Sequence, residues 1–304
     1  MSLTERGVGM RDQADRLRSL VTGTDTNELA QPISRDTRVI SITSGKGGVG
    51  KTTLAVNLAL AAQMSGLETV IFDADLGLAN VDIALGLFPR YNLMHVLQGE
   101  KSIKEIICPG PQGVRIIAGG SGWAELANVS QQQLNNFITG LAELDSSADL
   151  IIVDTGAGLA HSVLSFLHAS SEIIVVTTPE PTAITDAYAV IKLMSQQKDK
   201  RIHVVVNRVK NEQDARIVYS KIERTASRFL GTTPSFLGWL PEDSLVTQAI
   251  ISQQPVLLRC PDSRVAKAIR QLADTLFFSD HADVEPVGVG LRSFFGRLVR
   301  FLGG

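Results

Sequence analysis

The sequence predicts an α/β fold with a mostly parallel central sheet flanked by helices on both faces. Two observations carry that expectation. Seven short β-branched runs alternate with helix-length amphipathic stretches from Arg38 onward, and strands that are apolar almost throughout are those buried on both faces of a sheet. A glycine-rich loop also joins the first run to the first long helix, and ligands of such sheets bind at the carboxyl ends of strands. The predicted strands are Val39–Thr43, Thr69–Phe72, Val114–Ala118, Leu150–Val153, Ile173–Thr177, His203–Val206 and Ser235–Trp239. The predicted helices are Thr52–Met64, Gln131–Leu144, Val163–Ala169, Ile184–Gln196, Glu212–Phe229, Asp243–Ile250 and Ser263–Phe277.

Around this body, residues 38–278, the chain carries an appendage at each end. Residues 1–37 hold a short helix with Met10, Ala14, Leu17 and Val21 on one side, then a polar, turn-rich linker. Residues 279–290 are acidic and contain Gly and Pro, as a flexible tether would, and 291–304 form a final apolar and basic segment. Hydrophobic residues make up 44% and charged residues 20% of the 304, which excludes a wholly disordered or collagen-like chain. With 29 Lys and Arg against 31 Asp and Glu, no whole-chain basic excess supports binding to nucleic acid, and no specific nucleic-acid partner is expected. Cys108 and Cys260 stand too far apart in sequence for a metal-ligand spacing or a disulfide framework, which fits a reducing cytoplasm. The apolar runs are too short to span a bilayer as helices. Any membrane contact is expected to be peripheral.

Gly45-Lys46-Gly47-Gly48-Val49-Gly50-Lys51-Thr52 fits G-x-x-x-x-G-K-[ST] at every fixed position, between a strand and a helix. Glycines let backbone N–H groups converge on phosphate oxygens, and the helix N-terminus adds partial positive charge. Lys51 is placed for the β- and γ-phosphates of a nucleotide and the Thr52 hydroxyl for Mg²⁺, with Thr53 next on the same helix. Leu150–Val153 ends in Asp154, an apolar strand fixing a carboxylate that can hold Mg²⁺ through water. The glycines Gly156 and Gly158 just beyond it permit a loop that responds to the terminal phosphate. Asp73 and Asp75 end the second strand, where alternate carboxylates can serve metal-bound and attacking water.

Lys46 is a second lysine that the plain loop pattern does not require. With it, Lys46–Thr52 resembles the deviant K-G-G-V-G-K-T loop of the MinD/ParA group of P-loop ATPases. That resemblance implies ATP and Mg²⁺ as cofactors and an ATP-dependent homodimer in which Lys46 reaches the partner's nucleotide. It further implies that Asp75 orients or activates water, that Asp73 supports the metal shell, and that Asn207, Arg208, Pro241 and Asp243 flank the adenine. Spacing alone would make those four turn and cap residues. The stretch Pro179–Tyr188 is similar to the family's P-E-P-T-[AS]-I-T-D-A-Y segment and is expected to shape the dimer face rather than do chemistry.

At about 100° per residue, Leu291, Phe294, Phe295, Leu298, Val299, Phe301 and Leu302 fall on one arc, and Arg292, Ser293, Gly296, Arg297 and Arg300 on the other. Aromatic bulk opposite arginines is the pattern of an interfacial helix for anionic lipid, with Phe294, Phe295, Leu298, Phe301 and Leu302 facing the membrane. A terminal helix docked on its own domain has the same pattern. Near the other end, Asp12, Gln13, Ala14, Leu17 and Arg18 fit D-Q-A-x-x-L-R, a helix too short to be stable unaided. This motif resembles that of the flagellar-regulator branch of the family, whose N-terminal helix stimulates the GTPase FlhF. The likeness implies slow regulatory ATP hydrolysis, contact with basal-body C-ring components, and recruitment to the cytoplasmic face of the inner membrane. Division-site selection and DNA partition are the competing readings within the family. The first leaves Asp12–Arg18 unexplained, and the second has no use for a lipid helix.

Overall fold

The computed structural model describes residues 37–75, 80–120, 140, 144, 147–197, 200–278 and 290–302, with the side chains of residues 292, 299 and 302 outside that description. The expected helix over 10–21 with its motif residues Asp12, Gln13, Ala14, Leu17 and Arg18, nearly all of the expected helix Gln131–Leu144, and the tether 279–289 lie outside the described residues.

All seven predicted strands form, within an eight-stranded sheet. They are β1 (Arg38–Ser44), β2 (Thr69–Ala74), β4 (Arg115–Ile117), β5 (Leu150–Ala157), β6 (Glu172–Thr177), β7 (Arg201–Val209) and β8 (Ser235–Pro241), with β3 (Cys108–Pro109) as the addition. The spatial order is β3-β4-β2-β5-β1-β6-β7-β8. Every pairing is parallel except the edge pair β3 and β4. A two-residue strand containing proline leaves no periodic signal, so β3 was not legible in advance.

Buried residues alternate between the two faces of the sheet, the period that a pleated strand imposes. Ile40 and Ile42, Ile71, Ile152 and Ile174 face one layer, which contains α1 (Lys51–Met64), α9 (Val256–Arg259) and α10 (Arg264–Phe277). Val39, Phe72, Ile151 and Val153 face the other layer. That second layer is built from α3 (Leu93–Leu97), α5 (His161–Ala169), α6 (Pro181–Met194), α7 (Glu212–Leu230) and α11 (Leu291–Leu302). Between these elements come the short helices α2 (Val81–Leu85), α4 (Ile103–Ile106) and α8 (Ser244–Ile251). Helices α2, α3 and α4 have four or five residues each and were not expected. Their ends are set by local caps, such as the Asn92 side chain accepting from the Met94 N–H, rather than by apolar periodicity.

The carboxy-terminal helix is docked on the domain. Leu291, Phe294, Phe295 and Leu298 are buried in the second layer. Phe295 meets Phe72 edge to face, with centroids 5.9 Å apart and planes at 87°. Transfer of each such side chain out of water is worth roughly 1.5–3 kcal/mol. Phe301 does not share the buried arc. It is 38% exposed and stacks on the His168 ring of α5 at 4.0 Å and 16°. Three of the residues expected to face lipid, Phe294, Phe295 and Leu298, thus have their apolar surface satisfied within the chain. An amphipathic stripe specifies that a face must be covered, not what covers it. Among the described residues, no helix is long and apolar enough to cross a membrane.

At the amino ends of the strands, Glu172 is buried and bound by the Arg38 guanidinium and the His203 imidazole. Arg38 Nη2 and Nε donate to its two oxygens at 2.6 and 2.9 Å, and His203 Nε2 lies 2.9 Å from Oε1. Burial works to raise the pKa of Glu172, but hydrogen bonds from His203 and Arg38 and their charges outweigh it and hold the carboxyl at about 2.

Candidate nucleotide site

The phosphate loop leaves β1 at the centre of the sheet, between β5 and β6, and enters α1. Two of its glycines are demanded by geometry. A Cβ on Gly45 would stand 2.3 Å from the Asp186 carbonyl oxygen. Gly50 has φ +99°, a left-handed conformation that L side chains rarely adopt, and a Cβ there would meet Asn207 Nδ2 at 2.4 Å. Gly48 also has positive φ, whereas Gly47 and Gly48 face open space. Val49 and Lys51 are buried, and Thr52 and Thr53 are half-buried on the first turn of α1.

Asp154 sits beside this turn, completely buried, and neither of its carboxylate oxygens accepts a hydrogen bond of normal geometry. Burial pushes its pKa up to about 7. The Thr52 hydroxyl and the Lys51 charge pull it down, while Asp73 and Asp75 add to the rise. Asp73 is the register partner of Asp154 across β2 and β5. Its oxygens are taken up by its own loop: Oδ1 accepts the Asp75 N–H at 3.0 Å, and Oδ2 accepts those of Asn80 and Val81 at 3.0 and 3.2 Å. Burial raises Asp73 to about 6 against these three bonds. Asp73 therefore organises the loop that carries Asp75. Asp75 Oδ2 accepts from Asn80 Nδ2 at 3.2 Å, and its other oxygen lies against Gly156, where a side chain would begin only 3.5 Å away. The end of β5 thus lies beside the loop after β2. The Gly158 N–H closes the circle by donating to the Ser44 carbonyl at 2.9 Å.

These residues fit a hard divalent cation. Mg²⁺ takes one or two carboxylates and a hydroxyl, and fills its remaining positions with water and phosphate oxygens. The two orphaned oxygens of Asp154 next to the Thr52 hydroxyl are such a donor set. Among the described residues, no group of three or more His, Cys, Asp or Glu is arranged to hold a metal by itself. When bound, the cation supplies charge neutralisation at the phosphates.

A cavity of about 280 Å³ adjoins the loop, lined by Gly50, Thr53, Asn207, Arg208, Pro241 and Asp243 among others. The structure thus brings the four expected base-flanking residues together with the phosphate loop. Asn207 Nδ2 donates to the Val49 carbonyl at 2.8 Å, and its Oδ1 accepts the Arg208 N–H at 2.8 Å. Arg208 has φ +58°, in the left-handed region. Asp243 caps α8 through the Leu245 N–H.

The Pro179–Tyr188 stretch holds a feature that the sequence did not suggest. Lys46 Nζ donates to Glu180 Oε2 at 2.6 Å and to Thr182 Oγ1 at 3.0 Å. The contact joins residues more than 130 positions apart, so no local pattern could announce it.

A phosphate loop at the central strand, beside a buried carboxylate with free oxygens on the neighbouring strand β5 and flanked by a base-sized cavity, defines a P-loop nucleoside triphosphatase. The ParA family profile, described as NUBPL iron-transfer P-loop NTPase, matches residues 35–277. The antiactivator FleN of Pseudomonas aeruginosa is 38% identical over 237 residues, 78% of this chain and 85% of that protein. The flagellum site-determining protein YlxH of Helicobacter pylori is 36% identical over 97% of this chain and 100% of its own length. Among solved structures, the septum site-determining protein MinD of Pyrococcus horikoshii, complexed with Mg-ADP, superposes with TM-score 0.61 at 28% identity, over 80% of this chain and 96% of that one. The chain belongs to the ParA/MinD family of P-loop ATPases, in its FlhG/FleN branch. Cys108 and Cys260 are both free, and among the described residues neither belongs to a group of three or more side chains that could hold a metal.

Proposed function

We propose that this chain is an ATP-operated dimerisation switch that governs flagellar placement or number. In this reading ATP and Mg²⁺ bind across Lys51, Thr52 and Asp154, and two chains close with Lys46 of each directed to the other's nucleotide. Asp75 serves the attacking water, and hydrolysis is slow unless stimulated. Closure frees α11 to bind anionic lipid on the cytoplasmic face of the inner membrane, and Asp12–Arg18 engages the FlhF GTPase and C-ring components stand downstream.

The observation that carries the switch is where α11 docks. Phe295 packs on Phe72, one residue before Asp73, and its groove includes Val153, one residue before Asp154. Helix α5, under Phe301, begins three residues after Gly158, in the connection that leaves β5. The tail is therefore seated on the strands that carry Asp73 and Asp154 and on the helix that follows β5, so a change at the phosphates has a short path to it. The likeness to FleN and YlxH supports the flagellar role.

Cosedimentation with anionic vesicles tests the membrane step, using the full chain and a chain ending at residue 290. Binding by the full chain with a non-hydrolysable ATP analogue, and by neither chain with ADP, is expected. Equal binding by both chains in all conditions would refute it. For the partner step, Leu17→Ala is expected to leave ATP hydrolysis intact while removing stimulation of the GTPase.

A further inference from the structure

We infer that Glu180 is a latch that holds Lys46 within its own chain and must let go before two chains can close. The inference rests on the reading of Lys46 as a residue that acts on the partner's nucleotide, and adds what restrains it beforehand.

Three observations place the latch. Lys46 Nζ has two acceptors on one element, Glu180 Oε2 at 2.6 Å and Thr182 Oγ1 at 3.0 Å. The backbone fixes their approach: Gly45 is packed so tightly against Asp186 of α6 that a Cβ would lie 2.3 Å from its carbonyl oxygen. Loop and helix therefore cannot slide past each other. Pro181, the first residue of α6, has a fixed φ and so sets the direction in which the chain carries Glu180 and Thr182.

The strength of the contact suits a latch. The side chains are 39% and 57% exposed, and exposed ion pairs are weak because water solvates both partners. A triphosphate offers Lys46 several anionic oxygens in place of one carboxylate, so it can win the ammonium. A chain meeting a partner without that phosphate has nothing to exchange for Glu180, and closure in that state is suppressed. Lys46 pulls the Glu180 carboxyl below its ordinary range, first by hydrogen bond and then by charge, with Arg208 adding positive potential. Glu180 thus stays an anion across the physiological range. Each pair is worth up to about fivefold, and a dimer must open two of them, so the effect on association is the square of that on one chain.

The test is sedimentation equilibrium of the full chain with saturating non-hydrolysable ATP analogue. Glu180→Gln keeps the shape and removes the charge, and it is expected to tighten the dimer by roughly three- to twenty-five-fold. Thr182→Val should move it the same way by less. Melting temperature and nucleotide binding at concentrations too low for dimers should match wild type, which separates release of Lys46 from a structural effect. Lys46→Ala should not dimerise, and adding Glu180→Gln to it should restore nothing. An unchanged or weaker dimer for Glu180→Gln, with Lys46→Ala monomeric, overturns the latch alone. A Lys46→Ala chain that dimerises like wild type overturns the role of Lys46 and the latch with it.

Discussion

Phe301 at the end of α11 lies flat on His168, with ring centroids 4.0 Å apart and planes 16° from parallel. His168 belongs to α5, the helix that follows β5. Its ring Nδ1 is 2.7 Å from Gln197 Nε2, which fixes its plane. Phe301 also lies 6.3 Å from the His161 ring and so sits at the rim of the groove, while Phe294, Phe295 and Leu298 are buried within it.

Removing that contact should loosen the tail without disturbing the core. His168→Ala is expected to cost about 1 kcal/mol of docking, which raises nucleotide-independent binding to anionic vesicles by about fivefold. Cosedimentation in ADP reads this directly. Binding as low as wild type in ADP would show that Phe301 contributes nothing to seating the helix.

Asp75 is the carboxylate at the meeting point of the two loops, held by Asn80 and set against Gly156. Asp75→Ala is expected to lower ATP turnover by about 100-fold or more while nucleotide still binds, leaving the ATP-bound dimer to accumulate. Single-turnover hydrolysis and sedimentation of the same sample check both halves.

For Asp154 the sign of the pH effect follows from its raised folded-state pKa. Below about pH 4 both folded and unfolded chains hold the proton, and burial of this side chain carries no ionic cost. As pH rises to about 7, the unfolded chain releases the proton and the folded chain keeps it, so stability without Mg²⁺ and nucleotide falls. At roughly 1.4 kcal/mol per unit, the loss approaches about 4 kcal/mol. Asp154→Asn removes it. The melting temperature of Asp154→Asn relative to wild type should therefore rise between pH 4 and pH 8, and the variant should bind Mg²⁺–nucleotide poorly at every pH.

Glu172 has the opposite sign. Its folded-state pKa, about 2, lies below its ordinary value of 4.5. The stabilisation is present above pH 4.5 and disappears as pH falls through 2, about 2–3 kcal/mol in all. Glu172→Gln should lack that part of the acid limb, so its deficit against wild type should shrink from pH 6 to pH 2 in chemical denaturation. Arg38→Ala, which leaves the buried carboxylate with His203 alone, should cost about 3 kcal/mol at neutral pH.

Much of the fold and of the phosphate site is written in local pattern. Apolar β-branched runs gave seven strands because a strand buried on both faces must be apolar throughout. The Gly45–Thr52 loop declared a phosphate site because its backbone conformation admits few alternatives to glycine at Gly50. The arcs of α11 showed that one face needed cover. Tertiary structure alone decided which surface provides that cover: an intramolecular groove through Phe72 and Val153, with Phe301 left at the rim. It also turned the oxygens of Asp73 onto its own loop, left those of Asp154 free, set Glu180 against Lys46, and gathered Arg38 and His203 around Glu172. Apart from Asp73, whose partners lie within eight residues, these contacts depend on which strand ends and loops the sheet order makes neighbours. Side-chain period and turn chemistry report the environment a residue requires, whereas a distant partner is chosen by the register of the sheet.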